Sequence, residues 1–142
     1  MMRKISLTLF AIALTAMLLP SCGKYEEGPA FSIIPKKSRI VNIWKIEKVF
    51  INDVDRSDLY QTTIDSYKLE LTKDGKLTVS YTNSLGTLSQ NGTWELESSN
   101  ENLSFTINGD KDTFKIMRLK SNEMWLEETD AGQKFTTHYV SF

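Results

Sequence analysis

Few side chains in this chain could do chemistry, and their spacing limits what they can do. There is one cysteine, Cys22, and one histidine, His138. Zinc sites and activated nucleophiles need several Cys, His or carboxylate groups converging, and no second thiol or imidazole exists here to join them. Asp53, Asp55, Ser57 and Asp58 are spaced like the start of a calcium loop. An EF-hand needs glycine at its sixth position and glutamate at its twelfth. Those positions hold Asp58 and Ile64, so the segment reads as a solvated acidic loop. Glu127 and Glu128 are neighbours on a predicted strand, where successive side chains point to opposite faces; they cannot act as an acid/base pair. His138 shares its strand face with Thr136 and Val140 and reads as a surface or satisfied residue. The expectation is a protein that is not an enzyme, with no catalytic set, metal or cofactor.

Cys22 is different because of where it sits. Arg3 and Lys4 precede an apolar run over residues 5–19, broken only by Ser6, Thr8 and Thr15. A helix of that length rises about 22 Å, short of the roughly 20 residues that cross a bilayer core. A charged start and a short apolar core are the parts of a secretory signal. The run ends in Leu19-Pro20-Ser21-Cys22, which resembles the bacterial lipobox. That resemblance implies that Cys22 is alkylated with diacylglycerol, acylated with a chain such as palmitate, and becomes the mature N-terminus. One acyl chain holds a protein to a membrane only marginally, whereas two or more anchor it stably. Residues 1–21 are then a lipoprotein signal peptide, and no free thiol remains for disulfide or redox work.

Residues 22–38 carry Gly23, Gly28, Pro29 and Pro35 without usable periodicity, the composition of a flexible tether behind the lipidated cysteine. Within it Lys24-Tyr25-Glu26-Glu27 resembles the acidic tag that sends some Gram-negative lipoproteins to the cell surface. An ordinary charged tether ending in the periplasm is the alternative, so the expected address is the outer membrane of a Gram-negative envelope with its face open. Loss of Arg3 and Lys4 leaves 15 basic against 18 acidic residues. That balance lacks the basic footprint of nucleic-acid binding, and Lys36-Lys37-Ser38-Arg39 alone does not supply it.

From residue 39 to 142 the texture changes to short alternating runs separated by turn residues, the pattern of antiparallel strands with one wet face. Trp44, Ile46 and Phe50 alternate with Lys45 and Glu47. Tyr67, Leu69 and Leu71 follow, then Leu77, Val79 and Tyr81, then Trp94 and Leu96. Leu103, Phe105 and Ile107 come next, then Phe114 and Ile116, Met124 and Leu126, and finally Phe135 and Tyr139. Asp74-Gly75 sits between two runs as a type I′ hairpin signal, with Asn91-Gly92, Asn108-Gly109 and Asp130-Ala131-Gly132 marking further turns. Phe114 and Ile116 take one face while Met117 and Leu119 take the other, which predicts a bulge or a strand covered on both sides. In the longer connection over residues 52–65, Ser57 is a candidate N-cap for a short helix through Leu59, Tyr60 and Ile64. Eight strands with short links form an up-and-down antiparallel meander, and closure into a barrel removes its two free edges.

The segments Gly92-Thr93-Trp94-Glu95-Leu96, Leu103-Ser104-Phe105-Thr106-Ile107, Phe114-Lys115-Ile116-Met117-Arg118-Leu119 and Glu123-Met124-Trp125-Leu126-Glu127 resemble the strand succession of bacterial lipocalin-like lipoproteins. Asn42-Ile43-Trp44-Lys45-Ile46 resembles that family's opening strand, whose tryptophan closes the barrel floor. The glycine common two residues before that tryptophan is Asn42 here. The resemblance implies a calycin-like barrel that holds a small apolar ligand in or at its mouth. Its candidate ligand- or core-lining residues are Trp44, Ile46, Leu69, Leu71, Val79, Tyr81, Trp94, Phe105, Phe114, Ile116 and Met124, with Leu77, Leu96 and Ile107 also expected inward. An eight-stranded barrel is just wide enough to be filled by side chains or to hold one small ligand. A filled core would leave the second expectation, a tethered interaction or structural module that docks another envelope protein through Trp125, the strand faces or the 52–65 loop.

Overall fold

The structure, a computed structural model, describes residues 33–97 and 99–142. The lipidation motif, the signal segment and the acidic tag lie outside the described residues. Eight antiparallel strands close into a barrel: β1 (Asn42–Ile51), β3 (Tyr67–Leu71), β4 (Lys76–Asn83), β5 (Gly86–Leu96), β6 (Asn102–Ile107), β7 (Asp110–Leu119), β8 (Glu123–Asp130) and β9 (Gln133–Ser141). Each pairs with its neighbour in sequence order, and β1 pairs with β9 to complete the ring. A two-residue strand, β2 (Val54–Asp55), folds back on the end of β1. The all-β, eight-stranded up-and-down barrel with a short helix after the first strands is consistent with a lipocalin-like fold.

One end of the barrel is solid. A short helix, α1 (Lys36–Ile40), lies across the expected boundary between tether and barrel and packs against β7. Ile40 and Trp44 are fully buried, and the Trp44 indole Nε1 donates to the Ile40 carbonyl at 2.9 Å. Arg39, also buried, donates from Nη1 to the Leu119 carbonyl at 2.7 Å. The Trp94 indole donates to the Thr72 carbonyl at 2.9 Å. Both buried indole N–H groups thus find acceptors, which lets a large apolar ring fill the floor without stranding a polar atom. Leu69, Leu71, Leu77, Leu103, Ile116, Leu119 and Met124 complete this packed end.

Two bulges set which residues face in. The β1–β9 register slips between Ile46 and Lys48, so Val49 turns inward and Phe50 outward. Simple alternation grouped Phe50 with Trp44 and Ile46, and the extra residue reverses that parity. The β7–β8 register slips between Ile116 and Arg118, which lets Ile116 and Leu119 both reach the core while Met117 turns out. Of the two explanations for that switch, the structure contains the bulge.

Three local expectations are corrected. Asn91-Gly92 is not a turn: both residues lie inside β5, whose hairpin with β4 closes farther on, where Asn83 pairs with Gly86. Glycine is required at 92 because a Cβ there would stand 2.1 Å from the Thr106 carbonyl oxygen of β6. The Asp74-Gly75 link is not type I′, since only Gly75 has positive φ, at 83°. Asn108-Gly109 has both central φ values positive, 55° and 94°, as such a turn demands. Ser57 is not a helix cap. It opens a 3₁₀ turn (Ser57–Tyr60) that continues into α2 (Gln61–Ser66), and Arg56 occupies the cap position without a side-chain bond. The Ser57 hydroxyl instead accepts from the Val49 N–H at 3.1 Å and donates to Asp55 Oδ1 at 2.6 Å, tying the loop to β1.

Candidate functional site

Residues directly opposite in an antiparallel ladder share a face, so the pairings identify what lines the interior above the floor. Tyr67 pairs with Tyr81 and Tyr81 with Leu88; Leu69 pairs with Val79 and Val79 with Gln90. Leu77, Gly92 and Ile107 form a lower rung. From the other side, Met124 opposes Tyr139, Leu126 opposes Thr137, and Glu128 opposes Phe135. The interior therefore changes character along the barrel axis. The lower rungs are apolar and sealed, and the upper rungs are aromatic and polar.

The upper wall is open to solvent. Tyr81 is 39% exposed and Leu88 is 73% exposed, although both stand on the inward face. They belong to the β4–β5 hairpin, which runs beyond the end of β6: β5 pairs with β6 only from Gly92 onward. The outward face of this arm is polar, with hydroxyl pairs Ser80–Ser89 and Thr82–Thr87 each at 3.0 Å. Its inward face continues the aromatic wall. Tyr67 sits edge-on to Tyr81 at 5.4 Å and tilted to Tyr139 at 6.1 Å, and Phe105 meets Phe114 at 5.1 Å. Burial pushes the Tyr139 hydroxyl up to about 12, and burial, then the neighbouring Tyr139, raises Tyr67 well above its ordinary value. These phenols stay neutral at any physiological pH, so the wall can contact apolar surface and offer O–H groups without charge.

Of the residues expected to line core or ligand, Trp44, Ile46, Leu69, Leu71, Val79, Trp94, Phe105, Ile116 and Met124 all join the one buried core. Tyr81 and Phe114 sit at its upper edge. Leu77 is buried, and Leu96 and Ile107 pack half-buried against the core. Leu88 and Gln90 were not anticipated, because reading Asn91-Gly92 as a turn hides the strand they occupy. Tyr67 and Phe135 were visible as alternating residues, but nothing in the pattern says that they stand toward the open end, above Tyr139 in the buried core.

The outer face carries a second aromatic group. Trp125 lies against His138, with Phe50 on the imidazole from 4.6 Å and the Arg118 guanidinium 4.9 Å from the indole centroid. Burial and then the nearby Lys48 charge hold the His138 imidazole down to about 4, so it is neutral near pH 7. Met117, Glu127, Lys134 and Thr136 flank these rings in a shallow groove of about 380 Å³. Glu127 faces this groove while Glu128 faces the interior. In the acidic loop, Lys134 Nζ pairs with Asp53 at 2.6 Å and Ser57 engages Asp55. Among the described residues no three His, Cys, Asp or Glu side chains come together as a metal site, and no helix is long and apolar enough to cross a membrane.

A scan of protein-family models finds none that matches the chain, and a search of curated proteins finds no match either.

Proposed function

We propose that this chain is a non-catalytic, lipocalin-like binding module, anchored through acylated Cys22 to the outer membrane of a Gram-negative envelope. Its open end takes a small, largely apolar ligand. One observation carries the ligand reading: Tyr81 and Leu88 face inward yet remain exposed above a sealed floor. Exposed apolar groups on a concave wall are surface that a ligand can remove from water. The neutral phenols of Tyr81 and Tyr67 supply the few polar contacts such a site needs to orient its occupant. The packed lower half directs the ligand to the mouth, since Trp44 and its neighbours already occupy the floor.

The test uses the Cys22→Ala chain, examined by native mass spectrometry for a copurified apolar mass and titrated with Nile red. Saturable binding is expected, and Leu88→Ser should weaken it about tenfold, the size of losing one apolar side-chain contact. Absence of both bound mass and probe binding would overturn the reading. The aromatic group around Trp125 favours a second reading, docking of an envelope protein on the outer face. Crosslinking in intact envelopes should then capture one partner stoichiometrically, with the capture lost on Trp125→Ala.

A further inference from the structure

The barrel has a seam. The β7–β8 ladder ends at Lys115–Glu127, yet both strands continue toward the open end. Residues 110–114 of β7 pair only with β6, and residues 128–130 of β8 pair only with β9. Between these edges lies a cleft of about 740 Å³, lined by Lys111, Asp112 and Thr113 on one side and Glu128, Thr129 and Asp130 on the other. Main-chain polar groups alternate sides along a strand. Lys115 and Glu127 pair across the ladder, so the backbone groups of Thr113, Lys111 and Thr129 face the cleft in turn. The edge of β7 offers five residues, about 17 Å of extended chain.

The charges at the seam oppose its closure. Continuing the register past Lys115–Glu127 would set Phe114 against Glu128, Thr113 against Thr129 and Asp112 against Asp130. Like charges directly opposite on paired strands are destabilising. Asp110 and Asp112 face the interior, because they pair with Ile107 and Phe105, and Glu128 and Asp130 share that face through Phe135 and Gln133. Among the described residues, the one cation lining the cleft is Lys111, which points outward and is held by Glu95 at 2.7 Å and Glu97 at 3.4 Å.

We propose that this seam is a docking site for a basic extended peptide segment, which adds as a strand to the free edge of β7. Strand addition to an open edge takes affinity from main-chain hydrogen bonds and specificity from alternate side chains. Lysine or arginine at every second position would point inward between Asp112 and the Glu128–Asp130 pair and relieve their mutual repulsion. The intervening residues would face Lys111, Thr113 and Thr129. The cleft shares Phe135 with the upper wall, but its strand edges and carboxylates are separate from the exposed Tyr81–Leu88 surface, so either can fail without the other.

The probe is the acetylated and amidated hexapeptide Lys-Thr-Lys-Thr-Lys-Thr, titrated into the full chain in detergent micelles and followed by backbone amide NMR. Binding should shift Lys111, Thr113 and Thr129 and slow their amide exchange, and should weaken as salt is raised. Asp112→Asn and Asp130→Asn should each reduce affinity about fivefold, the scale of one exposed ion pair. The comparison peptide Lys-Pro-Lys-Pro-Lys-Pro keeps the charge and extended shape but lacks half the backbone donors, and it should bind at least about fivefold more weakly. Equal binding of the proline peptide would mean charge attraction alone and would overturn strand addition. So would no binding of the first peptide, or binding that shifts amides elsewhere. The peptide comparison uses the unaltered protein, so it decides the matter even if an aspartate variant fails to fold.

Discussion

Trp125 and His138 lie flat against each other across the β8–β9 pair, with ring centroids 3.8 Å apart and planes 3° from parallel. Lys48, the cross-strand neighbour of His138 on β1, adds positive charge beside the ring. Trp125 and Phe50 pack on the half-buried ring, and this partial loss of water disfavours the charged imidazole.

This stack makes stability depend on pH. The folded His138 value of about 4 lies below the ordinary 6.5, so the unfolded chain takes up this proton first. The contribution is fully present above pH 6.5 and is lost as pH falls toward 4. Half of the ring faces solvent, and screening reduces the full linkage value to about 1 kcal/mol. Urea unfolding at pH 7 and pH 5 should show the loss in the native chain, and His138→Phe should remove most of the difference. Asp55, Glu97 and Glu123, all lowered by hydrogen bonds or neighbouring cations, lose their contributions at lower pH still. Glu128, whose carboxyl is raised by burial, contributes with the opposite sign over the same range but equally in both chains, so the difference between native and His138→Phe isolates the histidine. An unchanged difference in His138→Phe would sink the assignment.

The floor offers a stability test with two parts. Trp44 is fully buried and its indole satisfies the Ile40 carbonyl. Trp44→Ala should cost about 3–5 kcal/mol through the cavity it leaves, a large fraction of the roughly 5–15 kcal/mol total of a small domain. Trp44→Phe keeps most of the packing but strands that carbonyl, and should cost about 1–3 kcal/mol. A Trp44→Phe loss near zero, read from denaturant midpoints, would mean that the hydrogen bond contributes nothing, and equal losses in the two variants would mean that the ring's packing adds nothing beyond it.

Period-two alternation made the barrel legible because each strand has one apolar face, and the run from Trp44 to Tyr139 carries that signal almost unbroken. What alternation cannot show is a one-residue insertion. The bulges at Glu47 and Met117 change parity without changing composition, so Phe50 reads as core and Val49 does not. Gly92 misled for a related reason. Glycine after asparagine serves a tight turn or a close backbone approach equally well, and only the position of the Thr106 carbonyl distinguishes them. The open wall depends on where β5 outruns β6, and the seam on where β7 and β8 part. Both are properties of pairing between strands, and no single strand's residues record them.

Gly92 supplies its own prediction. A methyl group at this position cannot fit within 2.1 Å of a β6 backbone oxygen, so Gly92→Ala must part β5 from β6 or shift their register. A loss of about 1–3 kcal/mol is expected, in the range for overpacking a close contact. Amide protection should fall most at Thr93 and Thr106, which pair directly. Protection that falls uniformly across the barrel would argue against a local clash.

The opposition of Asp112 and Asp130 predicts a gain of stability. Replacing either by asparagine removes the like-charge pair that a continued β7–β8 ladder would create, and should stabilise the chain by about 0.2–1 kcal/mol. The ladder should then extend, seen as slower amide exchange at Thr113 and Thr129. Glu128 reports the same event. Its carboxyl is raised by burial first and then by the charges of Asp112 and Asp130. A raised carboxyl favours the folded state as pH falls, so in the native chain protonating Glu128 should itself tighten the seam. In Asp112→Asn or Asp130→Asn the Glu128 value should move down, measurable by side-chain carboxyl NMR. High salt should narrow the stability gap between native and variant chains by screening the repulsion. If both variants leave Thr113 and Thr129 exchange unchanged, charge is not what holds the strands apart, and backbone geometry in the β6–β7 turn becomes the explanation to test.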